Sequence, residues 1–461
     1  MSDPFAASEA KMSGAGVPAP AIAAFLRLLG LVAAGDTGMI AEDSIEPLTG
    51  IPDADDLDAA PPPQQVLDAT VIVKLNGGLG TSMGMDRAKS LLVVKDGLSF
   101  LDIIVRQCLA LRARHGARLP LVLMNSFRTR DDSLAVLSAY PDLASDVPAD
   151  FVQHKVPKVR ADDMMPVTWP ADPDLEWCPP GHGDLYAALV TSGMLASLRG
   201  RGYRYAFVSN ADNLGATLDE RILAWFAREG VPFLMEVADR TEADRKGGHL
   251  ARTPDGRLVL RESAQCPGRD AAAFADVARH RYFNTNTLWV DLDALAEVLA
   301  ANGGVVPLPL IRNEKTVDPT DDETPAVYQL ETAMGAAIGT FEGAAAMRVP
   351  RTRFAPVKTT NDLLGLWSDN FVVGDGYQVV VNPARSPESG TLFVDLDPGP
   401  YRYVSSLEER FPAGPPSLVR CRRFVVRGDV RFGEGVVATG DVAIDAADVD
   451  GMIPDRSLLR G

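Results

Sequence analysis

The chain has 461 residues, of which 46% are hydrophobic and 23% charged, a composition typical of globular rather than disordered proteins. This length exceeds what one compact core usually supports, so it predicts one large domain with smaller additions. The net charge of −17 argues against broad attraction to nucleic acid or to an anionic membrane surface, because both need a positive field. We expect neither among the partners, and an anionic ligand must be held locally.

In chain order, the first 65 residues are expected to be an appendage. Residues 1 to about 20 are small and polar and predict a disordered tail, followed by a helix over about 20–35. That helix contains Arg27 in AIAAFLRLLGLVAAG, which is too short for a membrane span and lacks the basic start of a signal peptide. Residues 41–73 then contain eight carboxylates and no Lys or Arg. We interpret this acidic stretch as a solvated connector.

From about residue 66, apolar runs alternate with helix-like segments such as FLDIIVRQCLALRARHG. The runs are VIVKL (71–75), LPLVLMN (119–125), YAFVSN (205–210), VPFLMEV (231–237) and NTLWVDL (286–292). This alternation predicts an α/β domain over 66–375, with a mixed, mostly parallel sheet flanked by helices. In such sheets the loops at the carboxyl ends of the strands line the ligand crevice, and several polar motifs fall there.

The last segment, residues 376–461, is expected to be a separate C-terminal domain. Within it, residues 418–453 carry short β-branched pairs about every six residues, separated by Gly and Asp. This spacing predicts coils of a parallel β-helix. A small antiparallel sheet with Gly-Asp turns is the alternative.

The four cysteines of the chain contain no C-x-x-C pair, which predicts neither a disulfide framework nor a zinc cluster. A reducing compartment fits this pattern best. We therefore expect a cytoplasmic protein.

The stretch VIVKLNGGLGTSMGMDRAKS (71–90) follows a predicted strand with glycines and ends on Lys89 and Ser90. Glycines let backbone N–H groups approach an anion closely, so the stretch predicts a phosphate cradle. It does not fit the P-loop pattern, because Ala88 rather than Gly precedes Lys89. A flexible turn between a strand and a helix is the alternative.

Three later stretches carry further candidates. WCPPGHGDLYAAL (177–189) places His182 before a helix predicted to begin near Leu185, and helix N-termini favour anions. A nucleophilic His182 would form a covalent nucleotidyl intermediate, but no second histidine stands within twenty residues to support that role. A surface histidine is the other interpretation.

YAFVSNADNLGAT (205–217) ends a predicted strand with Asp212, where a carboxylate can hold Mg²⁺. An Asx turn that caps the next helix is the alternative. RFAPVKTTNDLL (353–364) sets Lys358 before a helix predicted to begin at Asn361 or Asp362.

Eight motifs in order over about residues 70–370 resemble the eukaryotic-type UTP-glucose-1-phosphate uridylyltransferase family. They are KLNGGLGTSMGMDRAKS, VLMNSF, WCPPGHGDLYAAL, FVSNADNLGAT, MEVADRTEADRKGGHL, FNTNTLWV, QLETAMGAAI and VPRTRFAPVKTTNDLL. The resemblance implies a Rossmann-like nucleotidyltransferase domain of the glycosyltransferase-A type, followed by a left-handed parallel β-helix.

It also implies the reaction, in which UTP and glucose 1-phosphate give UDP-glucose and pyrophosphate with Mg²⁺ as cofactor. A phosphate oxygen of the sugar would attack the α-phosphorus of UTP in line, without a covalent intermediate. Two alternatives stay open: a broader UDP-sugar or UDP-N-acetylhexosamine pyrophosphorylase, and a catalytically silent sensor of nucleotide sugars. The joint presence of Lys89, Asp212 and Lys358 weighs against the sensor.

The resemblance implies the site residues as well. Lys89 and Lys358 would be catalytic, and Asp212 would hold the metal. The UTP site would comprise Leu75, Asn76, Gly77, Gly78, Lys89, Gln153, Gly181 and Asp212. The sugar-phosphate site would comprise His182, Asn210, Gly248, Glu262, Asn284, Asn286 and Lys358.

Two departures from the family pattern stand out. Asp86, in the middle of the glycine-rich stretch, is expected to add a negative charge near the phosphates. The chain stops at SLLRG, where long family members continue. Because some members use that region for subunit contacts, a homo-oligomer formed through the C-terminal domain is an open expectation.

Overall fold

A computed structural model describes residues 3–461. Its α-helices are α1 (Pro4–Gly14), α2 (Ala19–Ala33), α3 (Gln64–Asp68), α4 (Phe100–His115), α5 (Arg130–Leu137), α6 (Leu185–Thr191), α7 (Met194–Gly200), α8 (Glu220–Glu229), α9 (Ala271–Ala275), α10 (Leu292–Ala301), α11 (Thr360–Trp367), α12 (Pro398–Tyr401) and α13 (Val404–Arg410).

The strands up to residue 291 are β1 (Glu46–Pro47), β2 (Thr70–Asn76), β3 (Val93–Lys95), β4 (Leu98–Ser99), β5 (Leu121–Asn125), β6 (Asp150–Val152), β7 (Val156–Pro157), β8 (Val159–Arg160), β9 (Trp177–Cys178), β10 (Tyr205–Asn210), β11 (Phe233–Asp239), β12 (His249–Arg252), β13 (Leu258–Arg261) and β14 (Tyr282–Asp291). The later strands are β15 (Ile311–Thr316), β16 (Ala326–Glu331), β17 (Ala345–Arg348), β18 (Phe371–Val373), β19 (Val379–Val381), β20 (Phe393–Leu396), β21 (Ser417–Arg427), β22 (Arg431–Phe432), β23 (Val437–Asp445), β24 (Met452–Ile453) and β25 (Leu458–Arg460).

A ten-stranded mixed sheet forms the centre of the molecule, with the strand order β1-β12-β14-β10-β2-β5-β6 and with β11, β13 and β17 attached beside this path. Strands β10, β2, β5 and β6 pair in parallel. Strand β14 is antiparallel to both β10 and β11. The prediction of an α/β fold with a mixed sheet is confirmed, and its parallel half carries the glycine-rich stretch.

The five predicted strand runs correspond to β2, β5, β10, β11 and β14, with ends that differ by a few residues. Helix α4 lies where the sequence predicted it. Its start is fixed by a capping box, in which Ser99 and Asp102 each bond the other's backbone N–H, and Gly116 ends it in a left-handed conformation. Apolar side chains of α4 and of these strands form the core on one face of the sheet.

The predicted N-terminal disordered tail is wrong for the residues the structure describes, and its first two residues lie outside them. Residues 4–14 form α1, which begins with Asp3 capping the N–H of Phe5. Met12 is fully buried in an apolar cluster with α2. The small residues that suggested a tail are also good helix formers, and tertiary packing stabilises the helix.

The acidic stretch is packed on the central sheet, although five of its eight carboxylates are exposed as a solvated connector predicts. Strand β1 pairs with β12 of the central sheet, and Ile45 and Leu48 are buried. The Glu42 carboxylate accepts hydrogen bonds from Arg261 Nη1 at 2.6 Å and from Arg279 Nε at 2.7 Å. The stretch itself contains no Lys or Arg, and the cations that pair with Glu42, Asp53 and Asp55 lie more than 200 positions later in the chain.

The strands of the C-terminal region pair in parallel, in the order β20-β21-β23-β25, with β22 beside β24. The antiparallel alternative is therefore wrong. Their buried side chains join the same apolar core as α4. The boundary at residue 375 stays a prediction. Over residues 3–461, every helix is too short or too polar to cross a lipid bilayer.

Candidate active site

The site lies at the carboxyl edge of the parallel half of the sheet, where β2, β5, β6 and β10 all end. Asn76, the last residue of β2, donates from Nδ2 to Oδ1 of Asn125, the last residue of β5, at 2.8 Å. The N–H of Gln153 donates to the Asn125 carbonyl at 2.8 Å, and Ala211 N–H donates to the Leu75 carbonyl at 3.0 Å. The predicted Asn76, Gln153 and Asn210 thus share one edge, as the parallel order requires.

The glycine-rich stretch forms a tight loop over this edge. Gly80 and Gly84 adopt left-handed backbone conformations with φ of 68° and 76°, which favour glycine. The N–H of Lys89 donates to the Gly78 carbonyl at 3.0 Å and closes the loop. A Cβ on Gly77 would lie 2.7 Å from Gln153 Oε1, so backbone and amide are closely packed there. The loop leads into a single turn at Lys89–Leu91 and not directly into a helix, which disfavours the strand-turn-helix alternative.

Lys89 and Asp212 form an ion pair between the loop and the end of β10. The distance from Lys89 Nζ to Asp212 Oδ2 is 2.7 Å. The second carboxylate oxygen, Oδ1, is buried and has no hydrogen-bond partner among residues 3–461. Buried polar atoms in folded proteins normally have a hydrogen-bond partner. An unpaired buried oxygen such as Oδ1 is therefore available to bind a ligand.

Asp86 does not disturb this pair. Its side chain is 96% exposed, and its nearest cation is Arg87 Nε at 3.9 Å. Lys89 pairs with Asp212 instead. The expected negative charge close to Lys89 is therefore turned toward solvent.

The stretch that carries Lys358 lies against the Asp212 loop. The N–H of Val357 donates to the Asp212 carbonyl at 3.2 Å, immediately before Lys358. The Lys358 side chain is exposed, and no carboxylate of residues 3–461 lies within 4.0 Å of its ammonium. Its backbone N–H donates to Asp362 Oδ2, and the same carboxylate caps α11, which begins at Thr360. The backbone next to Lys358 therefore contacts the residue that forms the ion pair with Lys89, so all three stretches reach one edge of the sheet.

His182 lies in a loop that is hydrogen-bonded to residues 332–334. Gly181 has φ of 78°, and the N–H of Gly183 donates to the Thr332 carbonyl at 2.9 Å. The His182 Nδ1 accepts the N–H of Met334 at 2.9 Å, so this ring nitrogen carries no proton. Burial lowers the pKa of His182 to about 4. The ring is neutral at pH 7 and can donate only from Nε2.

The other predicted sugar residues form a second group. The Asn284 N–H donates to the Gly248 carbonyl at 3.1 Å, and Asn284 Nδ2 donates to Asn286 Oδ1 at 2.9 Å. A Cβ on Gly248 would collide with the Glu262 carboxylate. Burial raises the pKa of Glu262 above its ordinary value, while the Asn284 amide and the Lys358 ammonium oppose this. Glu262 is thus electrostatically linked to Lys358.

A buried polar network that was not predicted from the sequence lies beneath the edge. Lys74 Nζ donates to Ser209 Oγ at 2.7 Å and to the Ala216 carbonyl at 2.8 Å, and burial lowers its pKa to about 7. Arg353 forms two hydrogen bonds with the Glu236 carboxylate. The available signal was a Lys and a Glu inside the apolar runs VIVKL and VPFLMEV.

Residues 3–461 contain no group of three or more His, Cys, Asp or Glu side chains placed to hold a metal ion. Asp212 nevertheless fits a metal that takes its remaining ligands from phosphates and water, as Mg²⁺ commonly does. The observation that supports this fit is the unpaired, buried Asp212 Oδ1.

Comparisons with known proteins agree with this geometry. A family model described as UTP–glucose-1-phosphate uridylyltransferase matches residues 23–438. The UTP–glucose-1-phosphate uridylyltransferase of Hordeum vulgare is 41% identical over 409 residues, which cover 87% of this chain and 84% of the relative. A mutant UDP-glucose pyrophosphorylase from Leishmania major, solved in complex with UDP-glucose, is 45% identical with a TM-score of 0.93, covering 100% of this chain and 98% of that one. A UDP-glucose phosphorylase structure from Trypanosoma brucei is 43% identical with a TM-score of 0.89, covering 100% of both chains.

Proposed function

The chain belongs to the UTP–glucose-1-phosphate uridylyltransferase family, and we propose that it converts UTP and glucose 1-phosphate into UDP-glucose and pyrophosphate. The observation that carries this proposal is the meeting of Lys89, Asp212 and the Lys358 stretch at one sheet edge. Two polyanions must approach each other in this reaction, so the protein must position them and offset their repulsion. Lys89 and Lys358 supply the positive charge for that task.

The glycine-rich loop binds the nucleotide in this proposal. Gly77 and Gly78 let UTP approach the backbone, while Gln153 and Gly181 contact the uracil edge. Leu75 and Asn76 lie at the base of the loop, at the end of β2. Lys89 contacts the UTP phosphates once they displace it from Asp212, because a phosphate offers more negative charge than one carboxylate.

Asp212 would hold Mg²⁺, and its buried oxygen Oδ1, which has no hydrogen-bond partner among the described residues, supports this role. When bound, this ion supplies Lewis-acid stabilisation of negative charge on the phosphates. Lys358 has no carboxylate competitor among the described residues, so its ammonium is free to bind the oxygens of the reacting phosphates. Such charge-assisted hydrogen bonds contribute about 1.5 to 3 kcal/mol each.

The sugar phosphate occupies the second group of residues. The Nε2–H of neutral His182 donates to its phosphate, and Asn210, Gly248, Glu262, Asn284 and Asn286 contact the glucose hydroxyls. A nucleophilic role for His182 is disfavoured, because Nδ1 accepts the Met334 N–H and no carboxylate of residues 3–461 is hydrogen-bonded to the ring. The attack on the α-phosphorus is therefore direct.

The C-terminal region, residues 376–461, is a left-handed parallel β-helix in this proposal, distinct from the N-terminal appendage (1–65) and the catalytic domain (66–375). Its support is the parallel pairing of successive coils, such as Phe424 with Val442 and Val437 with Leu458.

Met452 and Leu458 are 56% and 52% exposed on this region, which supports a homo-oligomer formed there. Sedimentation analysis tests the oligomer. The four free thiols support a cytoplasmic location.

The test incubates the protein with UTP and glucose 1-phosphate, with and without Mg²⁺. Pyrophosphate release is measured, and UDP-glucose is identified by chromatography. The proposal expects UDP-glucose and pyrophosphate in equal amounts, formed only with the divalent cation. Binding of UDP-glucose without pyrophosphate release would instead indicate the silent sensor. Incubation with radiolabelled UTP alone should leave no label on the protein, and label on His182 would indicate a double displacement.

A further inference from the structure

We propose that Asn213 is a positioning residue for this reaction: its side-chain amide fastens the stretch that carries Lys358 to the loop that carries Asp212. The inference rests on the proposed function, since it assigns Asn213 a role through those two residues. Asn213 follows Asp212 directly in the chain, and only 2% of its surface is exposed.

Both ends of the Asn213 amide are used across the two segments. Its Nδ2 donates to the Arg353 carbonyl at 3.1 Å, and its Oδ1 accepts the N–H of Ala355 at 3.0 Å. The same Oδ1 accepts the N–H of Gly215 at 3.2 Å within its own loop. Asn213 and Pro356 also form an isolated antiparallel bridge. One side chain thus forms hydrogen bonds with backbone groups of both the Lys358 stretch and the Asp212 loop.

The next residues bring the backbones of the two segments so close that there is no room for a side chain between them. A Cβ on Gly215 would lie 2.9 Å from the carbonyl carbon of Arg353 and still closer to the Thr352 oxygen. The segments are therefore in backbone contact at this point. A bond between them sets the position of Lys358 more strictly than packing of flexible side chains could.

A buried ion pair anchors the Lys358 stretch from below. The Arg353 Nε and Nη2 donate to the two oxygens of Glu236 at 2.8 and 2.7 Å, and Nη2 also donates to the Thr217 carbonyl at 2.9 Å. Trp289 Nε1 donates to Glu236 Oε1 at 2.9 Å, which fixes the carboxylate on β11. This ion pair holds Arg353, and Asn213 then fixes the five residues from Arg353 to Val357.

The consequence is geometric. The N–H of Val357, the residue directly before Lys358, donates to the Asp212 carbonyl. A movement of residues 353–357 would therefore change the position of Lys358 relative to Asp212. A displacement of about 1 Å at a reacting centre can lower a rate by about 100-fold. Loss of Asn213 should therefore lower turnover without removing a substrate contact.

The first experiment compares Asn213→Ala with Asn382→Ala. Asn382 is a matched control, because its Nδ2 donates to the Asp369 carbonyl at 2.8 Å and its Oδ1 accepts the Ala384 N–H at 2.9 Å, both outside the site. We expect kcat to fall about 10- to 100-fold in Asn213→Ala with KM for UTP changed less than about threefold. Asn382→Ala should keep its kcat. Asn213→Asp keeps the Oδ1 acceptor and should give an intermediate kcat; if the alanine variant does not fold, the aspartate variant carries the same test.

The second experiment asks whether Asn213 acts through Lys358. Residues that work as a unit are strongly non-additive, so Asn213→Ala should lower kcat much less in a Lys358→Ala background than in the wild-type background. Equal factors in both backgrounds would overturn the inference, because a general structural defect would add independently.

Hydrogen exchange of the Ala355 and Val357 amides, which donate to Asn213 Oδ1 and to the Asp212 carbonyl, supplies a readout that needs no turnover. In Asn213→Ala these amides should exchange faster, while in Asn382→Ala they should be unchanged. Unchanged exchange in Asn213→Ala would overturn the inference even in a fully active enzyme. Faster exchange in a protein without uridylyltransferase activity would instead support the fastening and contradict the proposed function.

Discussion

Among single residues, Lys358 carries the most direct kinetic prediction. Its ammonium is exposed and without a carboxylate partner among the described residues, so the unliganded protein does not depend on it for stability. We expect Lys358→Ala to lower kcat about 100-fold or more while the Kd for UTP changes little, because its charge is needed most in the transition state.

Steady-state kinetics and equilibrium binding of UTP measure this difference. Lys315→Ala is a suitable control, since Lys315 is also exposed and lies on β15, outside the central sheet. Turnover equal to that of the wild type would remove Lys358 from the mechanism.

His182 gives a prediction about pH. Its pKa is lowered to about 4 by burial, so the folded protein keeps this ring neutral while the unfolded chain binds a proton near the ordinary value of 6.5. The unfolded state therefore gains protons first as the pH falls, and stability attributable to His182 is lost between about pH 6.5 and 4. Activity should show no loss near pH 6.5 from this residue.

Proton NMR of the histidine rings, assigned with His182→Gln, measures the titration. A His182 resonance that titrates near pH 6.5 would contradict the neutral, Nε2-donating ring inferred from the Met334 N–H.

At the level of elements, the acidic stretch acts as a strap on the central sheet. Glu42 bonds Arg261, Arg279 and His280, and Arg261 is fully buried. Without the Glu42 carboxylate, the buried Arg261 guanidinium loses the negative charge that balances its own. Glu42→Gln should therefore lower the free energy of unfolding by about 2 to 3 kcal/mol. The exposed neighbour Asp43 provides the control, and Asp43→Asn should have almost no effect.

The pH dependence of this difference has a definite sign. Burial would raise the pKa of Glu42, but hydrogen bonds from His280 and Arg261 outweigh it and hold the pKa below its ordinary value. The stabilisation is therefore present above the unfolded pKa of about 4.3 and is lost as the pH falls through the lowered folded value. Denaturant unfolding of wild type and Glu42→Gln should converge in acid. A difference that grows below pH 4 would contradict this assignment.

The elements show where sequence reasoning succeeds. Strand β10 has the predicted bounds and α4 nearly so, because apolar runs and caps are local signals. The N-terminal helix α1 and the strap were misjudged, since Met12 and Glu42 are stabilised by residues far away in the chain. The composition of a short stretch of sequence could not reveal these distant partners.

For the whole molecule, the meeting of the motifs follows from topology. Parallel strands bring their carboxyl ends to one edge, so the convergence of Gly77, Gln153 and Asp212 could be predicted from the order of the runs. The approach of Lys358 could not, because it depends on Asn213, Arg353 and Glu236 bonding across the fold. Such contacts have no local sequence signal beyond charged residues in apolar strands.

The most direct test of the central claim is a competition between sugar 1-phosphates for the intact protein. UTP and Mg²⁺ are supplied with equal concentrations of glucose, galactose and N-acetylglucosamine 1-phosphates, and the UDP-sugars formed are quantified by mass spectrometry. The account predicts that UDP-glucose predominates and that pyrophosphate appears in equal amount. Equal formation of UDP-N-acetylglucosamine, or no UDP-sugar from any of the three, would contradict it.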